Sequence, residues 1–373
     1  MKNWMLVAAG TAVWLAACSD RTLAPRANAP GVGPSFSTGG PTACPAAADF
    51  VVTTEGELAA ALAAASPGAT IALNGMIGVT ADVNVTTPNV TLTCATPGSG
   101  IFATPGATIV EMVNAGANGV VVDRLVLDAS ATDGDPYFAL GVAGVRLTNN
   151  SVKCSSGSCA FLPSASGAII TDNRFESAGS FTGVHMQSGI DGSRVERNTI
   201  VTSAPTFQFG GIRVRDGSNV VVADNVVQGP WANSIATTNL TGSHFENNRL
   251  EGAGLNGIRV TFFPSVAMID NVFRNNRVTG AASAGIFAQL ACRNTFVGNN
   301  LNGNANDVGL FFALTTGANT FVGNKNVVVD NGDFDCDGDG IADPNIITGP
   351  GKEQHGLRLG PPAGDPLGNG RLQ

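Results

Sequence analysis

The chain has little charge, little histidine and no long apolar run, and each shortage removes a class of function. Asp, Glu, Lys and Arg make up only 13% of the 373 residues, and the net charge is −8. Lysine and arginine are neither clustered nor interleaved with aromatics, so nucleic acid and anionic membrane surfaces are not expected partners. Three histidines, His185, His244 and His355, and few methionines beyond the first residues leave little material for a copper-delivery site. Cys154-Ser-Ser-Gly-Ser-Cys159 is not a Cys-x-x-Cys spacing and gets no zinc or redox role. The apolar stretch at residues 4–17 is too short to stay as a membrane-spanning helix. No oligomerisation motif stands out, and a monomer is expected.

What is present in excess is glycine, 48 residues, and a short pattern that recurs. A polar pair runs into an aliphatic residue at Asn247-Asn248-Arg249-Leu250 and again at Asn275-Asn276-Arg277-Val278. A Gly-Ile step follows at Gly257-Ile258 and Gly285-Ile286. With the second residue of the pair as marker, the series is Asn150, Asn173, Asn198, Asn225, Asn248, Asn276, Asn300 and Asn324, at intervals of 23, 25, 27, 23, 28, 24 and 24. A period of about 25 residues marks a solenoid. Between markers the chain alternates in bursts such as Asn219-Val220-Val221-Val222-Ala223, which have strand length and are too short for helix. Two or three strands fit in each period at roughly 3.3 Å per residue. Pairing each strand with its equivalent one period on gives parallel sheets with aliphatic residues inward. Asn at the marker suits a left-handed bend and an amide ladder between coils.

These N-N-x-[aliphatic] and G-[IV]-x-[VM] patterns, over residues 121 to about 330, resemble those of the right-handed parallel β-helix repeat proteins of the pectate-lyase-like superfamily. The resemblance implies an all-β fold: a right-handed parallel β-helix, or solenoid, with an N-terminal capping helix. It says little about reaction type, because lyases, hydrolases, epimerases, adhesins and NosD-like proteins share it. The NTD, GHG and RIK segments of polygalacturonase-like enzymes are missing, as is the R-x-P-x-x-R of pectate lyases. The capping helix is readable in its own right. Thr54-Glu55-Gly56-Glu57 fits a capping box, with the Thr54 hydroxyl accepting from the Glu57 amide and the Glu57 carboxylate reaching back. The alanine-leucine run that follows is a strong helix former, ended by Ser66-Pro67-Gly68. A helix at about residues 55–65 would cover the open end of the core, and it resembles the entry cap of extracellular β-helices.

Residues 1–17 read as a signal peptide, with Lys2 ahead of the apolar run. Leu15-Ala16-Ala17-Cys18 resembles a bacterial lipobox, which implies lipidation of Cys18, and Ser19 resembles the next residue of lipoproteins sent to the outer membrane. An exported outer-membrane lipoprotein, periplasmic or surface-facing, is expected. Residues 18–48 form a flexible tether rich in Pro, Ala, Gly, Ser and Thr. The β-helix is assigned to 49–345, with regular coils at about 120–330 and an irregular insert at Asp133-Gly134-Asp135-Pro136-Tyr137; 346–373 is expected to be a disordered tail. The six cysteines other than Cys18 allow 15 pairings. Cys154 with Cys159 closes most easily, as a loop clip. Cys44 with Cys94 would fasten the tether to an early coil, and Cys292 with Cys336 a late coil to the end.

Two constellations can carry chemistry. In the loop 333–343, Asp335, Asp337, Asp339 and Asp343 follow D-x-D-G-D-G-x-x-D, where alternate carboxylates converge on a hard cation. The loop resembles the Asp-rich calcium repeats of extracellular proteins and implies a structural calcium, although Ile346 stands where an EF-hand has Glu. The second constellation is a strand column. If each Gly-aliphatic step, or Ser234-Ile235, starts the same strand with its aliphatic residue inward, the next residue faces out. That column reads His185, Arg213, Ala236, Arg259, Phe287 and Phe311; two residues on come Gln187, Arg215, Thr261 and Gln289, with Asp216 alongside. At about 4.8 Å per coil, His185, Arg213 and Arg259 span roughly 15 Å of one face and can track sugar hydroxyls and carboxylates. No paired carboxylates, the minimum for glycoside hydrolysis, are evident on it. The leading expectation is binding of polysaccharide or cell-surface material. One alternative is a lyase or epimerase of uronate-containing glycans, in which His or Arg abstracts the proton beside a carboxylate neutralised by another Arg or by calcium. The other is a purely structural surface rod.

Overall fold

A computed structural model describes residues 43–348, apart from 180, 204–209, 262–267, 290, 305–309, 313–315, 325–327, 330–334, 338 and 342. The segment expected to be a signal peptide, Cys18 with its expected lipidation, and most of the expected tether and tail lie outside the described residues. Within the described residues the chain winds as a parallel β-solenoid with three sheets of 13, 9 and 14 strands. The first sheet runs from Phe50–Val52 to Ile346–Thr348, the second from Met76–Val79 to Arg277–Thr279, and the third from Val83–Asn84 to Val328–Val329.

Alternation builds the core. In Arg194–Glu196 only Val195 is buried, and its counterparts one coil away, Ile170 and Val222, are its Cα partners. The same inward column of the first sheet changes to phenylalanine at Phe245, Phe273, Phe296 and Phe321, each no more than 1% exposed. Their rings stack at 4.8, 4.8 and 4.9 Å, the coil spacing itself. Such pairs contribute about 0.5–1.5 kcal/mol each beyond the area they bury.

The marker asparagines form a ladder inside the coils. Asn173 donates from its backbone N and its Nδ2 to Oδ1 of Asn198, both at 3.0 Å, and its Nδ2 also reaches the Leu147 carbonyl at 2.7 Å. Every buried amide of this kind is used, and leaving one unsatisfied would cost about 1–3 kcal/mol. The structure corrects the reading of the repeat in two places. The rung after Asn276 is Asn299, not Asn300: Asn276 donates to Asn299 at 3.0 Å and Asn299 to Asn324 at 2.9 Å. The left-handed bend lies one residue before the marker, at Asn149, Asp172, Arg197, Asp224, Asn247 and Asn275, with φ between 53° and 59°; Gly298 and Gly323 take the same place. The bend turns the corner, and the residue after it points inward. A second ladder, Asn271, Asn294, Asn319 and Asn345, runs along another corner. Ser243 precedes it, donating its amide to Asn271 Oδ1 at 2.9 Å.

The glycine of the G-[IV]-x-[VM] pattern has a steric cause. A Cβ on Gly211 would lie 2.3 Å from Val227 Cγ1, and one on Gly257 would lie 2.0 Å from Val278 Cγ1. The third sheet is pressed against side chains of the second at these points, with no room for a methyl group.

The capping helix is Glu55–Ala64, one residue shorter than expected, with Leu58 and Ala61 buried against the end of the core. Thr54 Oγ1 accepts the Glu57 amide at 3.2 Å as anticipated. The Glu57 carboxylate reaches one residue past the capping-box position, to the Thr53 amide at 2.7 Å and its hydroxyl at 2.8 Å. Disulfides join Cys44 to Cys94, Cys154 to Cys159 and Cys292 to Cys336, with Cα separations of 5.3, 5.2 and 5.7 Å. Two boundaries change. The supposed insert at 133–137 overlaps the regular strand Asp135–Phe138 of the third sheet, paired to strands on both sides. The strand Ile346–Thr348 pairs with Thr320–Val322, so ordered structure passes the point where the tail was expected to begin. Among the described residues no helix is long and apolar enough to cross a membrane.

Candidate functional site

The third sheet carries the column in the expected register. Its strands Thr182–Gln187, Gly210–Ser218, Asn233–Thr241, Asn256–Thr261 and Ile286–Ala288 are successive neighbours. Val184, Met186, Ile212, Val214, Ile258 and Val260 are fully buried in the interior. The residues between them therefore face outward. His185 stands opposite Arg213, Arg213 opposite Ala236, Ala236 opposite Arg259, and Arg259 opposite Phe287. Phe311 continues the backbone register beyond Phe287. Gln187, Arg215, Thr238 and Thr261 make the companion column. Gln289 follows, its amide donating to the Val260 carbonyl at 2.8 Å.

Positive charge dominates the centre of this face. Arg215 Nε donates to Asp216 Oδ2 at 2.7 Å, and Asp216 Oδ1 accepts from Asn239 Nδ2 at 2.7 Å. Asp216 and Asn239 sit at left-handed φ of 58° and 51°, where the two nine-residue strands turn a corner. Burial lowers the Arg213 guanidinium to about 10; Arg215 and Arg259 add to the shift and Asp216 opposes it. A cation shifted this way is one that an incoming anion would relieve.

His185 is 5% exposed and stacks on Phe161 with ring centroids 4.8 Å apart. Burial, and then the fields of Arg213 and Arg215, pull its pKa down to about 3, with the Gln187 side chain opposing. The imidazole is therefore neutral at physiological pH. Its Nε2 has no hydrogen-bond partner among the described residues. Guanidinium groups that fit carboxylates thus lie beside a neutral imidazole whose Nε2 is closed off from the surface.

Sequence reasoning missed two parts of this sheet. The outward column extends upstream through Phe161 and Phe138, whose rings meet edge to face at 5.6 Å. The coil of Phe161 lacks the Gly-aliphatic step, but its buried Ala160 and Leu162 carry the same alternation. Three residues before Phe138, Asp135 stands opposite Glu111 on the neighbouring coil. This pair of carboxyl groups went unseen because 133–137 read as an insert. Burial raises Asp135 to about 6, Glu111 adds to the shift, and the Ser158 amide opposes it. Glu111 is raised by burial and then by Asp82.

In the acidic loop, Asp335, Asp337 and Asp343 each bring a carboxylate oxygen within 4.8 Å of the others. Asp339 is not in this group; its Oδ1 accepts the Ile341 amide at 2.8 Å. Part of the remaining capacity is already used, since Asp343 accepts the Cys336 amide at 2.8 Å and Asp335 the Gly340 amide at 2.7 Å.

The sequence matches the family described as right handed beta helix region over residues 138–262 and 196–326, which together exceed half the chain. No curated protein matches it. Among solved structures, the A-module of the mannuronan C-5 epimerase AlgE4 from Azotobacter vinelandii has a TM-score of 0.53 at 14% identity, covering 79% of this chain and 92% of that one. The AlgE6 A-module from the same organism gives 0.53 at 15%, covering 80% and 92%. An alginate lyase from Paenibacillus sp. str. FPU-7 gives 0.45 at 15%, covering 82% and 97%. At such identities the likeness is one of fold.

Proposed function

Because the chain belongs to the right-handed β-helix family, we propose that it is a polysaccharide-binding solenoid whose third sheet holds a carboxylate-bearing glycan across Arg213, Arg215 and Arg259. One observation carries this reading: strict coil register gathers three arginines on one outward face, with Arg215 held by Asp216. Guanidinium forks suit carboxylates, and the half-buried Gln187, Thr238, Thr261 and Gln289 supply partners for sugar hydroxyls. That mannuronan epimerases use the same fold supports polysaccharide as the ligand class. In this proposal the protein is exported as a monomer, held to a bacterial outer membrane through lipid on Cys18, and its Asp335, Asp337 and Asp343 loop takes a calcium ion that fastens the C-terminal coils.

Isothermal titration with acidic and neutral oligosaccharides tests the binding: acidic ones bind, and Arg213→Gln weakens them. Equal binding of neutral sugars would overturn it. Cys18→Ser should move the protein out of the lipid fraction. A chelator that leaves the melting temperature unchanged removes the calcium.

Turnover is a second reading, prompted by the neutral His185 beside Arg213, and it requires the ring to turn outward, because its Nε2 is buried. There His185 would take the proton next to a carboxylate held by Arg213. From the resulting carbanion, expulsion of the neighbouring glycosidic oxygen, which leaves with a proton, gives an unsaturated sugar, whereas return of a proton to the opposite face with the bond intact gives the epimer. An imidazole with a pKa of about 3 is a weak base for that step, so binding leads. Unsaturated product, or solvent deuterium incorporated into recovered glycan, would reverse the order.

A further inference from the structure

We infer that this face reads the spacing of negative charge along its glycan, and that it fits a chain in which a uronic acid alternates with an uncharged sugar. The inference rests on the third sheet being the glycan-binding face. Cations occur on the coil of Arg213 and Arg215 and on the coil of Arg259, while the coil between them offers only Ala236 and Thr238. All five side chains are partly exposed and within reach of a ligand. The run is bounded at its two ends by rings that are not: His185 is 5% exposed and Phe287 is 4% exposed. Between these two rings the reachable part of the Arg213 column is three coils long, with charge on the outer two.

Coils repeat at about 4.8 Å, so the cationic coils are about 10 Å apart. One sugar of an extended chain is about as long as one coil, and a trisaccharide laid along the axis puts its first and third sugars over arginine. The middle sugar meets the Ala236 methyl and the Thr238 hydroxyl, which lies 3.5 Å from that of Thr261. An uncharged ring loses nothing there. A carboxylate at that position would give up water with no cation opposite, which is unfavourable. Arg215 is tied to Asp216, so its guanidinium is held in place before the ligand arrives.

The test is calorimetric, with the full chain at fixed salt. The probes are a tetrasaccharide of alternating glucuronate and N-acetylglucosamine and a tetragalacturonate. The alternating probe should bind about tenfold tighter or better. Ala236→Arg puts charge on the middle coil and should reverse the preference, with the circular dichroism unchanged. Should that variant not fold, Thr238→Lys on the same coil makes the same change. Equal or tighter binding of tetragalacturonate to the unmodified protein overturns the spacing and leaves the proposed function standing. Binding of neither probe overturns both, and an unaltered preference in the charge-insertion variant overturns the spacing alone.

Discussion

The outward faces of the first two sheets and of the third are built by the same alternation, yet they space arginine and acid differently. On the first two, three arginines sit two residues before a glutamate on the same strand: Arg174–Glu176 at 2.6 Å, Arg194–Glu196 at 2.6 Å and Arg249–Glu251 at 2.5 Å. Across coils, Arg197 pairs with Asp172 at 2.8 Å and Arg293 with Asp270 at 2.9 Å. On the third, the same spacing reads Arg213-Val214-Arg215, and Arg259 follows two coils later. A solenoid repeats at about 4.8 Å whatever a column contains, so a self-neutralising strand gives an inert face and a like-charged one gives a field.

The largest effect should come from removing that field. Arg213→Gln with Arg215→Gln should weaken acidic-glycan binding by about a hundredfold, since hydrogen bonds to charged groups contribute about 1.5–3 kcal/mol each. Arg194→Gln with Arg249→Gln on the paired faces should change affinity by less than about twofold, as calorimetry would show. Comparable losses from both double variants would erase the distinction.

Stability should respond in the reverse sense and more weakly. Breaking Arg194–Glu196 should cost about 0.2–1 kcal/mol in urea unfolding, because its arginine is half exposed. Arg213→Gln without ligand should be neutral or stabilising, because burial and two neighbouring arginines already disfavour that cation.

A separate effect lies in the pH profile, where two parts of the third sheet pull against each other. His185 falls from its ordinary 6.5 to about 3 on folding. Between those values the unfolded chain holds the extra proton, so this contribution is lost as pH drops from 6.5 towards 3. Asp135 rises from 3.8 to about 6, so its contribution is full below 3.8 and lost as pH climbs through 6. Melting temperatures between pH 3 and 8 should fall less steeply on acidification for His185→Gln and more steeply for Asp135→Asn. Identical profiles for both variants would contradict this.

The winding was legible in the sequence because every coil must bury one polar corner, and asparagine satisfies it in a way that recurs visibly. The slip to Asn300 arose where Gly298 takes the bend, which removes one member of the polar pair. The second ladder was hidden because Ser243 stands in for asparagine ahead of Asn271. His185, Arg213 and Arg259 were placed correctly relative to one another, since register follows from period. The burial of His185 and its neutral state were not readable, because they depend on what lies over the outward face. Asp135 and Glu111 were missed because Pro136 masked a strand, and Asp339 was grouped with its neighbours because spacing cannot show which carboxylates turn back to their own backbone.

The most direct test of the central claim is a crystal structure of the protein with an acidic oligosaccharide bound. The account predicts electron density along the third sheet, with carboxylates against Arg213 and Arg259 and an uncharged ring over Ala236. A sugar seated on the Arg194 and Arg249 faces, with the Arg213 column empty, would contradict it.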